Sequence, residues 1–113
     1  MKLKKYKDEY TEYTYYTKDG KVVRHGLCKD YYENGKIVSE LNYKDGKLDG
    51  ICKGYYKDGE LEFEYNYKDG KRDGLCKYYY EDGGLESELN FKEGKLKSSN
   101  QNCGISHIGI LEW

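Results

Sequence analysis

A repeat with a period of 24 residues is the feature that most constrains how this chain can fold. A cysteine recurs at that step, preceded two residues earlier by a glycine and followed by a pair of tyrosines. A fixed period of this size is typical of an array in which one supersecondary unit is copied. The positions in phase are Gly26, Gly50 and Gly74; Cys28, Cys52 and Cys76; and Tyr31-Tyr32, Tyr55-Tyr56 and Tyr79-Tyr80.

The 113 residues suit a single domain, residues 1–113, with atypical units at its two ends. Residues 1–15 are a degenerate half-repeat, residues 16–97 contain the repeats, and residues 98–113 break the pattern with the apolar stretch "GISHIGILEW". Terminal units of an array are expected to differ, because they cover its exposed edges. We predict that residues 98–113 either cap the last strand or mediate association.

Two turn signals divide each unit into short runs rich in Tyr, Leu and Ile. In the first unit these signals are Asn34-Gly35 and Asp45-Gly46. Both dipeptides favour the two-residue type I′ turn that joins antiparallel strands. We therefore predict a succession of β-hairpins, with two strands in each unit.

Counting outward from each turn predicts the register of the strands. The count places lysines opposite glutamates, and such cross-strand pairs each contribute roughly a few tenths of a kcal/mol. A slip of one residue would exchange the two faces of a strand. The predicted pairs include Lys29–Glu40, Lys53–Glu64, Lys77–Glu88, Cys28–Leu41, Gly54–Phe63, Tyr78–Ser87, Tyr32–Ile37, Tyr56–Leu61 and Tyr80–Leu85, and, around Asp45-Gly46, Tyr43–Leu48 and Leu41–Gly50.

This register predicts an all-β fold, an elongated single-layer antiparallel β-hairpin meander of about eight to ten short strands. One face gathers cysteine, tyrosine, leucine and phenylalanine side chains and is predicted to be the packed face. The other face carries the lysine–glutamate pairs together with Leu27, Ile51 and Leu75, and a ladder of Tyr31, Tyr55 and Tyr79.

The distribution of charge argues against several classes of partner. The formal net charge is −1, and the lysines alternate with acidic residues rather than forming blocks. We therefore expect no nucleic-acid partner, and only weak support for a membrane partner. No apolar run follows the start "MKLKKYK". We expect neither a signal peptide nor a transmembrane segment, and a cytoplasmic location.

Three stretches of the chain resemble the variant MORN repeat, whose core is a glycine, a lysine, paired aromatic residues and then Asn-Gly or Asp-Gly. They are "GLCKDYYENGKIVSELNYKDGK", "GICKGYYKDGELEFEYNYKDGK" and "GLCKYYYEDGGLESELNFKEGK". The resemblance implies an elongated β-hairpin array without catalytic activity. Bacterial proteins of this kind are often labelled antitoxin-like, and MORN repeats elsewhere are linked to membrane attachment and protein scaffolding. This chain has tyrosine where other MORN units have more tryptophan and glycine.

The cysteines favour neither a disulfide nor a metal site. Equivalent cysteines two strands apart lie roughly 9–10 Å from each other, which exceeds the reach of a disulfide or of one zinc ion. Cys103 and His107 have ligand-like spacing but no second pair of ligands. Because no Ser/His/Asp set or phosphate loop is present either, we expect no metal, no cofactor and no catalytic residue, and hence no enzyme.

The tyrosine ladder is the most informative surface feature of the sequence. Tyrosine on an otherwise polar face is a rigid, amphipathic contact that is common in protein recognition. We predict a non-enzymatic protein-binding module, with an antitoxin or immunity partner of a toxin as one form of it. A membrane-surface or cell-envelope adaptor, a carbohydrate-binding module and a homodimer through the sheet face or the tail stay open. The predicted partner-binding residues are Tyr31, Tyr55, Tyr79, Ile51 and Leu75.

The register makes a direct prediction about the thiols. Freshly purified protein, denatured without reductant, should show at least three reactive thiols per chain, because Cys28, Cys52 and Cys76 are too far apart to be oxidised in pairs. Titration with a thiol reagent measures this number. A lower count would contradict the register.

Overall fold

The computed structural model describes residues 2–101, which form one antiparallel sheet and contain no helix. The strands follow one another across the sheet in chain order, and the thinnest dimension is 15 Å. Because a second stacked sheet would add about 10 Å, the fold is a single layer, and the predicted all-β meander is confirmed. The eleven strands are β1 (Lys4–Lys7), β2 (Thr11–Lys18), β3 (Lys21–Tyr31), β4 (Ile37–Lys44), β5 (Lys47–Leu48), β6 (Gly50–Tyr55), β7 (Leu61–Lys68), β8 (Lys71–Arg72), β9 (Gly74–Tyr79), β10 (Leu85–Lys92) and β11 (Lys95–Gln101).

The turns after β2, β4, β7 and β10 have the predicted type I′ conformation. Asp45 has a φ of 49° and Gly46 a φ of 86°, and two consecutive positive φ angles define this turn. Aspartate tolerates the left-handed region better than most residues, whereas glutamate rarely adopts it. Glu93 nevertheless has a φ of 51°, so contacts outside the turn must hold it.

Hydrogen bonds to the preceding repeat provide those contacts. The backbone N–H of Gly46 donates to the carbonyl of Arg24 at 2.8 Å, and the N–H of Asp45 donates to Nδ1 of His25 at 3.1 Å. Each later turn therefore lies against the repeat before it. The equivalent bonds run from Gly70 to the Leu48 carbonyl, from Asp69 to the Asp49 carboxylate, from Gly94 to the Arg72 carbonyl, and from Glu93 to the Asp73 carboxylate.

The prediction of a two-residue turn is wrong at Asn34-Gly35. The N–H of Gly35 donates to the carbonyl of Tyr32 at 2.9 Å, and the N–H of Tyr32 donates to the carbonyl of Lys36 at 2.7 Å. Gly35 has a positive φ and Asn34 does not, so the loop is a three-residue type I turn closed by a glycine bulge. The Asn34 side chain accepts a hydrogen bond from the N–H of Lys36, which stabilises this conformation.

The longer loop shifts the pairs beside it by one residue. Tyr31, and not Tyr32, pairs with Ile37. In the same way Tyr55 replaces Tyr56 opposite Leu61, and Tyr79 replaces Tyr80 opposite Leu85. A bulge in the returning strand then restores the predicted register. The confirmed pairs are Cys28–Leu41, Lys29–Glu40, Lys53–Glu64, Gly54–Phe63, Tyr78–Ser87 and Lys77–Glu88.

After two of the type I′ turns the returning strand is split in two, into β5 and β6 and into β8 and β9. The first of these splits contradicts the predicted Leu41–Gly50 pair. Glu40 pairs with Lys53, which is two residues out of phase with that prediction. Asp49 lies between β5 and β6, and Gly50 has a φ of 106°. A shift of two residues leaves every side chain on its predicted face. The pair next to the turn, Tyr43–Leu48, is confirmed.

The face that carries the cysteines is the packed one, as predicted, and we call it the cysteine face. Cys28, Cys52 and Cys76 are buried free thiols with at most 1 % of their surface exposed, and Leu89 and Phe91 are buried beside the last of them. Burial raises the pKa of all three thiols. The thiols are therefore protonated, apolar fillers of the sheet at neutral pH.

Two arginines cover this face in place of a second sheet. The guanidinium of Arg24 lies 4.3 Å from the centre of the Tyr13 ring, and that of Arg72 lies 4.4 Å from the centre of the Tyr65 ring. Tyr65 also stacks on Phe63, with their ring centres 4.4 Å apart. Cation–π and stacked contacts of this kind exclude water from the small thiols beneath the rings.

The second tyrosine of the first two pairs joins neighbouring repeats at the other edge of the sheet. The phenol of Tyr32 donates to the carbonyl of Tyr55, and the phenol of Tyr56 donates to the carbonyl of Tyr79, both at 2.6 Å. Each bond links one unit to the next along the chain. The two edges of the array are therefore both held by bonds between repeats.

The predicted C-terminal cap is described only in part. β11 pairs with β10 with a bulge between Asn90 and Phe91, and it includes the first residues of the predicted segment 98–113. The rest of that segment lies outside the described residues.

Gly54 offers a test of the packing on the cysteine face. A Cβ atom at this position would lie 2.1 Å from Cε2 of Phe63, so Gly54→Ala should destabilise the fold by about 1–3 kcal/mol through overpacking. Urea denaturation measures the loss. In a Phe63→Ser background, which copies the serine at the equivalent position of the other two units, Gly54→Ala should cost much less. If Gly54→Ala destabilises the parent and the Phe63→Ser variant equally, the Phe63 ring does not pack against Gly54.

Candidate protein-interaction face

Three rows of side chains cross the sheet on the face opposite the cysteines, which we call the charged face. Alternate residues of a strand point to opposite faces, so Ile51, Lys53 and Tyr55 lie on the face opposite Cys52. The apolar row is Leu27, Ile51 and Leu75; the charged row is Lys7, Glu12, Lys29, Glu40, Lys53, Glu64, Lys77 and Glu88; and the tyrosine row is Tyr31, Tyr55 and Tyr79.

The apolar row protrudes into solvent. Leu27 is 41 % exposed, Ile51 45 % and Leu75 44 %. Single exposed apolar side chains are ordinary on protein surfaces, but the same position exposed in three successive units forms a line. The line repeats at two strand spacings, roughly 9–10 Å.

Asparagines hold the backbone between the members of the apolar row. Asn42 pairs with Leu27, and its side-chain amide donates to the carbonyl of Ile51 at 2.6 Å. Asn66 pairs with Ile51 and donates to the carbonyl of Leu75 at 2.7 Å. These amides satisfy carbonyls next to the strand irregularities. They fix the strands from which the apolar side chains project.

The charged row alternates in sign from one strand to the next across the sheet. Lys53, for example, lies between Glu40 on one side and Glu64 on the other. In the described part of the chain, the ion pairs within 4.0 Å involve none of the residues of this row. The row therefore gives the face a balanced pattern of charge, and contributes little as salt bridges.

Two members of the tyrosine row donate hydrogen bonds to glutamates of the charged row. The phenol of Tyr31 donates to Glu12, and that of Tyr55 donates to Glu40, both at 2.5 Å. The hydrogen bond from Tyr31 holds the pKa of the Glu12 carboxyl below its ordinary value. Burial, followed by the bond to Glu40 and the charges of Glu40 and Glu64, raises the pKa of Tyr55 to about 12.

The structure brings together all the residues that the sequence singled out for partner binding. Ile51 and Leu75 are exposed, as a contact surface requires, whereas Tyr31, Tyr55 and Tyr79 are only half-exposed. Leu27 belongs to the same line but is not among the predicted binding residues. The 24-residue step from Ile51 is the signal that identifies it.

The described residues contain no group of three or more His, Cys, Asp or Glu side chains arranged to hold a metal ion. Cys103 and His107, the pair with ligand-like spacing, lie outside that part of the chain. No helix long and apolar enough to cross a membrane occurs among residues 2–101.

The fold and its rows define a class of protein, a β-hairpin repeat array that presents one continuous face. The family model described as the MORN repeat variant matches residues 24–45, 48–69 and 72–93, which together make up more than half of the chain. The chain therefore belongs to the MORN repeat variant family, and the predicted resemblance is confirmed at that level. Repeats of this kind are commonly modules that bind proteins or membranes. No curated protein matches the chain.

The raised pKa of Tyr55 predicts how stability depends on alkaline pH. An unfolded tyrosine ionises near pH 10, whereas Tyr55 in the folded protein keeps its proton to about pH 12. The free energy of unfolding should therefore fall as pH rises through this window, because the folded state holds a proton that the unfolded state has lost. The free energy of unfolding of the Tyr55→Phe variant should fall less steeply with pH, as measured by urea denaturation at several pH values.

Glu40→Gln is the matched control for this measurement. It removes the charge and the carboxylate acceptor but keeps the ring of Tyr55 in place, so its decline should lie between those of the parent and of Tyr55→Phe. If the free energy of unfolding falls equally with pH in all three proteins, Tyr55 is not the group that causes the decline.

Proposed function

We propose that this chain is a non-catalytic protein-binding module whose contact surface is the charged face. The observation that carries the proposal is the apolar row, in which one large apolar side chain per repeat is exposed by 41–45 %. Burying these three side chains against a partner is the largest favourable change in free energy that the face offers, because apolar area removed from water contributes about 25 cal/mol per Å². The flanking tyrosines add rigid rings at the margin of that contact.

The charged row sets the orientation of the partner. Exposed lysines and glutamates contribute little affinity, but a partner with the opposite order of signs is favoured over one in which like charges meet. The alternation repeats with the same period as the apolar row. A partner is therefore selected by pattern as well as by apolar area.

A protein partner agrees better with this face than a membrane does. An anionic bilayer attracts surfaces with an excess of lysine or arginine, whereas the charged row contains both signs in alternation. An antitoxin or immunity protein is one form that such a module takes. The proposal of that role is tested by identifying the bound partner and asking whether it is a toxin that the chain neutralises.

Ile51 and Tyr55 provide the test of the proposed surface. The partner is captured from cells that express the chain, purified, and titrated against variants by calorimetry. Ile51→Asp should weaken binding by about 2 kcal/mol or more, because it places a charge at the centre of the apolar row. Tyr55→Ala should weaken binding more than Lys53→Ala does.

Two further variants serve as controls. Val22→Asp changes an equally apolar side chain that is 56 % exposed but lies outside the row, and it should bind as the parent does. Tyr56→Ala removes the bond to the Tyr79 carbonyl and should lower the melting temperature. If Ile51→Asp and Val22→Asp bind equally well, the charged face is not the contact surface. If Ile51→Asp weakens binding to liposomes but not to a protein, the adaptor alternative is favoured. If it weakens binding to glycans instead, the carbohydrate alternative is favoured.

A further inference from the structure

Each type I′ turn is flanked by two lysines that lie directly opposite each other. The turn has the sequence Lys-Asp-Gly-Lys three times and Lys-Glu-Gly-Lys once, and the flanking lysines are paired across the two strands. All eight are exposed. We call this side of the sheet the lysine edge; its pairs are Lys18–Lys21, Lys44–Lys47, Lys68–Lys71 and Lys92–Lys95.

These pairs oppose local stability. Like charges directly opposite each other on adjacent strands are destabilising, whereas opposite charges stabilise. The charged row follows the favourable rule across the sheet, and the lysine edge breaks it at every type I′ turn. A local rule that is broken at the same position of every unit points to a function of those residues.

Two of the lysines are positioned by the turn that follows them. The side-chain stem of Lys47 packs against Gly70, where a Cβ atom would lie 3.8 Å from the Cβ of Lys47, and Lys71 packs against Gly94 in the same way. Packing of the stem leaves the ammonium group at the surface. A groove of about 420 Å³ lies here, lined by Lys47, Lys68, Lys71, Lys92, Asp69, Asp73 and Glu93.

The charge of the edge is positive but interrupted. Its eight lysines, the four carboxylates of the turn residues, and Asp49 and Asp73, which accept hydrogen bonds from turn N–H groups, give a formal net charge of +2 at neutral pH. One lysine of the groove, Lys92, also lies 3.8 Å from the Asp73 carboxylate. Carboxylates between the lysines disfavour the dense charge of a nucleic-acid duplex or an anionic bilayer, but leave room for single acidic side chains that meet the lysine pairs one by one.

We infer that the lysine edge binds an extended acidic segment of a partner protein, with one carboxylate at each lysine pair. Neighbouring pairs are separated by one repeat, roughly 9–10 Å. A polyproline II segment rises about 3.1 Å per residue, so every third side chain falls at about 9.3 Å on the same side. Acidic residues at every third position therefore match the edge. The lysine pairs lie along the margin of the charged face, because Lys44 is two residues from Asn42 and alternates with Tyr43 of the cysteine face. The inference concerns this margin alone and does not depend on the function proposed for the three rows.

Two labelled peptides of identical composition test this match. One contains four Glu-Pro-Ser units, and the other carries the same residues with its four glutamates consecutive. Fluorescence anisotropy at low ionic strength should show saturable binding of the periodic peptide, several-fold tighter than that of the clustered isomer and weaker at about 0.15 M salt. No saturable binding, or equal binding of the two peptides, would overturn the inference.

Charge variants test the location of the site. The quadruple variant Lys44→Gln, Lys47→Gln, Lys68→Gln and Lys71→Gln removes the two central pairs and should weaken binding of the periodic peptide by about tenfold or more. The matched control, with Lys2, Lys4, Lys5 and Lys57 changed to Gln, removes the same charge from positions outside the lysine edge and the charged row, and should bind within about twofold of the parent. Equal loss in both variants would show attraction by overall charge alone and would overturn the inference.

A melting curve separates this role from a structural one. Because each substitution at the lysine edge removes a like-charge contact, the quadruple variant should melt at the parent's temperature or above it. A lower melting temperature would show that the lysines stabilise the fold, and would overturn the inference. Stronger binding to phosphatidylserine vesicles than to the periodic peptide, abolished by the same substitutions, would overturn it too and assign the edge to a lipid surface instead.

Discussion

The hydrogen bonds from the last three type I′ turns to the repeat before each of them are the constraint on which the rest of this structure depends. The N–H groups of Asp45 and Gly46 both donate backward, to His25 and to the Arg24 carbonyl. Because the same bonds recur at the later turns, each hairpin is placed on its predecessor with the same offset. A thin sheet with one packed face has few other contacts between distant repeats. The constant offset keeps its rows of side chains in line, together with the strand pairs between repeats and the tyrosine bonds at the other edge.

The two irregularities of the strands contribute to the same alignment. A three-residue loop and a bulge at one edge cancel each other, and the shift at Asp49-Gly50 spans two residues at the other. Both leave the alternation of faces intact. The thiols therefore remain under their cover of rings and arginines, while the apolar, charged and tyrosine rows remain on the opposite face. The surfaces proposed for binding follow from this division of the sheet.

Much of the candidate site was predictable, because two-residue periodicity assigns side chains to faces even where the exact partner is wrong. Ile51 and Leu75 lie on the predicted face and are exposed. The different roles of the two tyrosines in each pair were harder to predict from the sequence. The phenol of Tyr55 donates a hydrogen bond to Glu40, whereas that of Tyr56 donates to the carbonyl of Tyr79 in the next unit. That distinction depends on the stacking of repeats, which no local pattern of residues contains.

The sequence by itself determined the repeat, the antiparallel hairpins, the lysine–glutamate pairs and the two faces, since each follows from spacing along the chain. Only the tertiary structure decided which turn each dipeptide adopts. Asn34-Gly35 and Asp45-Gly46 are equally compatible with a type I′ turn in isolation. At Asp45 the preceding repeat accepts hydrogen bonds from both turn N–H groups, whereas at Asn34 the side chain accepts from Lys36 and a three-residue loop forms. At Asp45 the deciding free energy comes from neighbours that are distant along the chain, which a local sequence does not contain, whereas the bond between Lys36 and Asn34 is local.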